Sequence, residues 1–189
     1  MKKLKLIIAV TGASGSIYAN ELLKTLVINS KQVEQVDIVF SEEALGVWKL
    51  ELPSIDPMLF PFNYYKRNDF YAPCASGSNT YNAMIICPCS MGTLGRIANG
   101  ISNDLITRTA DVMLKERQTL ILVAREAPYN SIHLQNMMNA NQAGAIIFPA
   151  TPSFYSLPSS IEEVIKTVTD RVLIKAGLDI KIKSWNNNL

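Results

Sequence analysis

This chain is poor in the side chains that usually announce a catalytic centre. It has one histidine, His133, in 189 residues, and three cysteines. His133 falls early in a predicted helix, away from the place a Ser-His-Asp triad would need it, so the structural reading of it is preferred. An odd number of cysteines in a chain of this length does not make a disulfide framework. Cys87-Pro88-Cys89 is neither a C-x-x-C redox pair nor half of a zinc site. No Walker motif occurs, which argues against nucleoside triphosphate hydrolysis. Charge is also scarce: 18% of residues are charged and the net charge is +2, too little to draw nucleic acid or a membrane surface by bulk electrostatics. No apolar run approaches the ~18 residues of a membrane span. Lys5 interrupts the apolar start, which reads as a strand rather than an export signal. Free thiols make the cytoplasm the expected compartment, with no metal expected.

What the chain does have is apolar residues, 48% of the total, arranged in short runs that end in small polar residues. Leu6 to Val10 passes into Thr11-Gly12-Ala13-Ser14-Gly15-Ser16. A buried strand that turns into a helix through such a stretch leaves backbone N–H groups free at the positive end of the helix dipole, an anion site. The glycines are spaced G-x-x-G and not as the dinucleotide fingerprint, so a mononucleotide phosphate is the expected ligand; a tight turn with no ligand is the other reading.

The same pattern recurs along the chain. Val36–Phe40 is a predicted strand ending at Ser41, which caps a helix opening with Glu42 and Glu43. A Pro-punctuated aromatic excursion covers 60–71, then Ala83 to Cys87 returns as a strand buried on both faces. It ends in Pro88-Cys89-Ser90-Met91-Gly92-Thr93, a second small-residue junction. Helical segments are expected near 91–100 and 104–117, with Ser102 or Asn103 as the cap between them. Leu120–Ala124 is a strand ending at Arg125-Glu126, Ser131 is the expected cap of a helix to Asn141, and Ala145–Phe148 is a further strand. Ser159 or Ser160 starts a last helix to about Ala176. A tail from about residue 177 is expected to be ordered by a partner or a neighbouring subunit.

Strands alternating with helices predict one α/β domain over 1–189, a Rossmann-like (flavodoxin-like) open and mostly parallel sheet with helices on both faces. Ligands of such sheets sit beyond the strand C-ends at the switch point. The segments 12–16, 89–93 and 149–155, with Ser41, Arg125 and Glu126, are expected to converge there. Arg108, Lys115, Arg117 and Arg171 are candidates for a second anion site, since guanidinium forks match phosphate oxygens; a solvated helix face is the alternative for each.

Taken together, T-G-A-S-G-S-I-Y at 11–18, A-S-G-S at 75–78, C-P-C-S-M-G-T-L at 87–94, A-D-V-x-L-K-E-R at 110–117, R-E-A-P at 125–128, S-I-H-L-x-N-M at 131–137 and F-Y at 154–155 resemble the flavin prenyltransferases of the UbiX type. The resemblance spans nearly the whole chain. It implies a homo-oligomer, commonly a dodecamer, that binds reduced FMN near subunit contacts. The implied reaction moves a dimethylallyl group from dimethylallyl phosphate to flavin N5 and closes a ring onto C6. The product, prenylated FMN, serves UbiD-type decarboxylases. By position, the resemblance implies FMN contacts from Gly12, Ala13, Ser14, Ser41, Ser90, Met91, Gly92, Thr93 and Arg125. Tyr155 and Arg171 are implied at the prenyl phosphate, with Lys115 and Arg108 supporting its charge. Ser76 is implied near the reacting flavin, Glu51 and Glu126 in proton movement, and Trp185 as a cover. Gly92 departs from the Lys of many members, which implies altered phosphate contacts. Allylic phosphate loss suits such a site, because fixed cations stabilise the leaving group without a metal. Two other readings are a peptidyl-cysteine-type decarboxylase, which in that group relies on a histidine in the first helix where residues 15–29 have none, and a non-enzymatic FMN carrier.

Overall fold

Alternating side-chain direction along strands and a 3.6-residue stripe along helices leave this sequence one economical arrangement, helices packed on both faces of a central sheet. The computed structural model, described over residues 3–183, has that arrangement. Its elements are β1 (Leu4–Val10), α1 (Ser16–Ile28), β2 (Val33–Phe40), α2 (Glu42–Glu51), β3 (Asn63–Tyr65), β4 (Ala83–Cys89), α3 (Met91–Ala98), α4 (Leu105–Lys115), β5 (Thr119–Ala124), α5 (Ser131–Gln142), β6 (Ile146–Ile147) and α6 (Ile161–Lys175). The sheet order is β3-β2-β1-β4-β5-β6, and every described pair is parallel. The chain builds outward from β1 to β3, then crosses back to lay β4 on the other side of β1. The crevice of the fold therefore opens above β1 and β4.

Strand alternation divides the core in two. Leu6, Ile8 and Val10 of β1 face α1, α2 and α6, where they meet Leu22, Leu26, Trp48 and Val172. Ile7 and Ala9 face the other way, toward Leu94 of α3, Ile106 and Met113 of α4 and Ala140 of α5. Arg171 on α6 and Lys115 on α4 thus belong to helices on opposite faces of one sheet. α5 is the least buried helix: Ala140 is its one buried residue, while Ile132, Leu134 and Met138 are exposed.

The structure corrects three local expectations. The cap of α4 is Asp104 and not Ser102 or Asn103: its carboxylate accepts the Thr107 N–H at 2.8 Å, and the Thr107 hydroxyl accepts the Asp104 N–H at 3.3 Å. The cap of α5 is Asn130 and not Ser131, through the His133 N–H at 2.8 Å. The excursion at 60–71 contains an edge strand, β3, whose register with β2 is held partly by the buried Asp37, which accepts Asn63 Nδ2 at 2.9 Å. Of the two candidates at α6, Ser160 is the cap, accepting the Glu163 N–H.

Candidate functional site

Four strand C-ends, those of β1, β2, β4 and β5, are stitched into one floor by hydrogen bonds. The buried Thr11 hydroxyl donates to the Pro88 carbonyl at 2.8 Å and accepts the Ser90 N–H at 2.8 Å. The Ser41 N–H donates to the Val10 carbonyl at 2.9 Å, and the Arg125 N–H to that of Cys89 at 3.2 Å. Thr11 is a positioning residue that sequence reasoning passed over, although it stands at the end of β1 within the first motif. Around this floor, Ser41 caps α2 and Ser90 caps α3, each hydroxyl accepting the N–H three residues on. The first-turn amides of both helices are thereby oriented toward the crevice.

The glycines of the crevice are not alike. A Cβ on Gly12 would lie 2.6 Å from the Glu43 Cβ, so the turn at Gly12 packs against α2 with no room for a side chain. Gly15 has φ 116°, a conformation that favours glycine. A Cβ on Gly92 would meet nothing within 4 Å, leaving an open place beside the α3 amides. Space there, oriented amides and the Ser41, Ser90 and Thr93 hydroxyls suit the ribityl-phosphate end of a flavin mononucleotide.

The start of α1 is a different case. Its N–H groups are not free: Glu51, the last residue of α2, accepts Gly15 N–H at 2.9 Å and Ser16 N–H at 2.7 Å. Burial pushes the Glu51 carboxyl up, and bonds from Ser14, Gly15 and Ser16 outweigh it, holding its pKa below the usual glutamate value. The helix-start anion is thus supplied by the protein itself. No sequence signal short of tertiary contact links residues 15 and 51.

A charge network flanks the α3 end of the crevice. Asp104, nearly inaccessible to solvent, pairs with Arg96 at 2.6 Å and Arg67 at 3.4 Å. Arg96 also donates to the Thr93 hydroxyl at 3.2 Å and to Asn103 at 2.9 Å. Burial pushes the Asp104 carboxyl up, but the Thr107 N–H and Arg96 more than offset this and leave it low. Arg67 and Arg96 therefore hold Thr93 and the α3–α4 junction in place, a role no motif signalled.

The remaining predicted residues fall into two groups. Tyr155 and Arg171 line one cavity of about 230 Å³ beside α6, and Arg171 stacks over Phe148 at 5.8 Å. That volume is below the ~300–1,000 Å³ of a drug-sized site, so it suits a small head group rather than a flavin. Ser76, Arg108 and Lys115 lie elsewhere. Arg108 Nε donates to the Ala75 carbonyl at 3.1 Å and pairs with Asp111. Lys115 pairs with Glu116, beside Gly77. Because α4 ends where β5 begins, Lys115 sits toward the N-terminal ends of the strands. Arg125 and Glu126 are exposed at the end of β5, and the Glu126 carboxylate accepts the Ala127 N–H at 3.0 Å. Trp185 lies outside the described residues.

Fold and site together define a flavin-binding α/β protein, and residues 1–173 match the family described as Flavoprotein. The chain is 44% identical to the flavin prenyltransferase UbiX of Methanocaldococcus jannaschii, covering 96% of this chain and 98% of the relative. It superposes with a TM-score of 0.90 on the crystal structure of AnUbiX in complex with FMN and dimethylallyl pyrophosphate, at 38% identity, covering 98% of this chain and 100% of that one. A dodecameric FMN-dependent UbiX-like decarboxylase from Escherichia coli gives a TM-score of 0.87 at 36% identity, over 93% and 96% of the two chains. The chain belongs to the UbiX family of flavin prenyltransferases. It is a transferase that acts on a flavin.

Proposed function

We propose that the chain transfers the dimethylallyl group of an allylic phosphate, dimethylallyl phosphate in its simplest form, to N5 and then C6 of reduced FMN. The observation that carries this reading is the pairing of two unlike sites: an open amide- and hydroxyl-rich crevice at the switch point, and a small cationic cavity holding Tyr155 and Arg171. The flavin supplies the nucleophilic ring atoms; the chain's residues bind, orient and neutralise. Gly12, Ala13, Ser14, Ser41, Ser90, Met91, Gly92, Thr93 and Arg125 hold FMN. Arg171 and the Tyr155 hydroxyl take the phosphate and stabilise the charge that leaves with it. The developing allyl cation is favoured by the face of an aromatic ring such as Tyr155. Glu51, held ionised by its amide partners, is an acceptor for a proton released near Ser14, and Glu126 stands exposed at the opposite lip.

The separation of Ser76, Arg108 and Lys115 from Tyr155 and Arg171 supports a site completed by a neighbouring copy. A homododecamer, in line with the dodecameric Escherichia coli neighbour, satisfies this, and the exposed apolar residues of α5 supply contact surface for it. The product, prenylated FMN, is handed to a UbiD-type decarboxylase in the cytoplasm, where three buried free thiols are stable. The test is anaerobic incubation with reduced FMN and dimethylallyl phosphate, followed by the mass of the flavin. A gain of one C5 unit is expected; unchanged FMN from protein shown to bind it would overturn the reading.

A further inference from the structure

A line of charges crosses the mouth of the crevice from α2 to α3. Glu43, in the first turn of α2, lies 3.9 Å from Arg67, and Arg67 lies 3.4 Å from Asp104. Asp104 lies 2.6 Å from Arg96, which reaches the Thr93 hydroxyl at 3.2 Å. The Glu43 Cβ packs where a side chain on Gly12 would stand, so the line runs directly against the β1–α1 turn.

The members of this line differ in what their bonds leave over. Asp104 is saturated: Oδ1 accepts the Thr107 N–H at 2.8 Å and Oδ2 accepts both guanidinium groups. Arg96 directs Nη1 to Asp104 and to Asn103 at 2.9 Å, and Nε to the Gly92 carbonyl at 3.4 Å. Its side chain is 27% exposed against 3% for Asp104, so the positive member of the pair is the one a ligand meets.

Hydrogen-bond polarity at Thr93 follows from this. Arg96 can only donate, and the Ser90 hydroxyl donates to the same Thr93 Oγ1 at 3.1 Å while accepting the Thr93 N–H at 3.3 Å. Both acceptor positions of Thr93 Oγ1 are therefore taken, and its own proton points away from Ser90 and Arg96. A hydroxyl that accepts from a guanidinium is the stronger donor for it. Gly92 brings no side chain to this place, and the cation stands one helical turn further on, at Arg96. At the other end of the line, its own backbone N–H and the Ser41 hydroxyl hold the Glu43 carboxyl below the usual glutamate range, with Arg67 and Arg96 adding to this. A full negative charge thus borders the same crevice.

We propose that Arg96 is a positioning residue that makes the crevice select a phosphorylated flavin over riboflavin, by fixing the Thr93 hydroxyl as a donor to the phosphate and setting a positive charge behind it, while Glu43 limits the affinity by repulsion. The proposal rests on FMN lying in this crevice, as in the reading above. Asp104 keeps the guanidinium in register. A flavin that leaves after alkylation is suited by a grip of limited strength.

The test is titration of the FMN-free protein with FMN and with riboflavin, followed by quenching of flavin fluorescence. Wild-type protein is expected to bind FMN at least about tenfold more tightly than riboflavin, as charge-assisted contacts to a phosphate allow. Arg96→Gln is expected to lose about tenfold in FMN affinity and less than about twofold in riboflavin affinity, and Arg96→Lys, which keeps the charge without the fork, to recover part of the loss. Glu43→Gln is expected to bind FMN about threefold more tightly, a gain that misfolding cannot produce and that ~1 M salt, with its ~3 Å screening length, should abolish. Riboflavin affinity that falls in parallel with FMN affinity in Arg96→Gln, full FMN affinity in that variant, or no gain in Glu43→Gln overturns the proposal. Wild-type protein that binds neither flavin would instead overturn the placement of FMN in the crevice, and wild-type protein that binds FMN without alkylating it would overturn the prenyl-transfer reading alone.

Discussion

Replacing Glu51 by Gln isolates the charge that closes the first helix. The carboxylate accepts two main-chain N–H groups at 2.7–3.0 Å at the positive end of α1. A charged residue at a helix start is worth about 0.3–1 kcal/mol when exposed, and losing a capping acceptor costs about 0.5–2 kcal/mol. Gln keeps one acceptor oxygen, and Glu51 is exposed enough for solvent to screen its charge. The net expectation is a loss of about 1 kcal/mol near pH 7, or about 2–4 °C in Tm for a chain of this length. The sign with pH follows from the depressed folded-state pKa. Stabilisation by the carboxylate is complete above the unfolded glutamate value and disappears as pH falls through the folded value. Denaturation of both proteins at matched concentration between pH 7 and pH 3 should therefore show two curves that converge on acidification. A gap that stays constant across that range, or widens toward acid, would refute the assignment of the charge to the α1 amides.

Three further outcomes follow from the same contacts. Asp104→Ala strips a buried carboxylate from Arg96, Arg67 and the α4 amides at once, and about 3 kcal/mol of stability should go with it; a loss below ~1 kcal/mol in chemical denaturation would mean that the cations find other partners. Gly12→Ala should weaken FMN retention at least tenfold by forcing the turn off α2, whereas Gly92→Ala, with no atom within 4 Å, should retain it; equal effects in a binding titration would refute the difference in space. Asp37→Asn sets an amide N–H₂ against Gln35, Asn63 and Tyr81, all of which donate to Asp37, and should cost about 2 kcal/mol, read as a lowered denaturation midpoint.

The fold was legible because its signals are local. The run Leu6 to Val10 and the run Ala83 to Cys87 are apolar without interruption, as strands covered on both faces must be, and each ends in small residues. β3 was not legible: three residues at a sheet edge carry no periodicity, and its register depends on Asp37, which lies 26 residues earlier. Asp104 was legible in principle, since Asp followed three residues later by Thr is a capping pattern, but two adjacent polar residues competed with it. In the site, the hydroxyl-bearing strand ends were readable as a group, and Ser41 and Ser90 cap helices as their positions suggest. The capture of the α1 amides by Glu51, and the placement of Lys115 and Arg171 on opposite faces, are products of topology. No window of sequence contains them.

That placement has a genetic consequence. If the charge of Lys115 reaches the prenyl donor from one subunit and that of Arg171 from another, each centre in an assembly draws on two gene copies. Two alleles that are each inactive, one altered at Lys115 and the other at Arg171, would then restore part of the activity when expressed together, because some mixed interfaces carry both intact residues. Two alleles altered within the same group would not. Complementation between recessive mutations would thus map which residues meet across the boundary between copies.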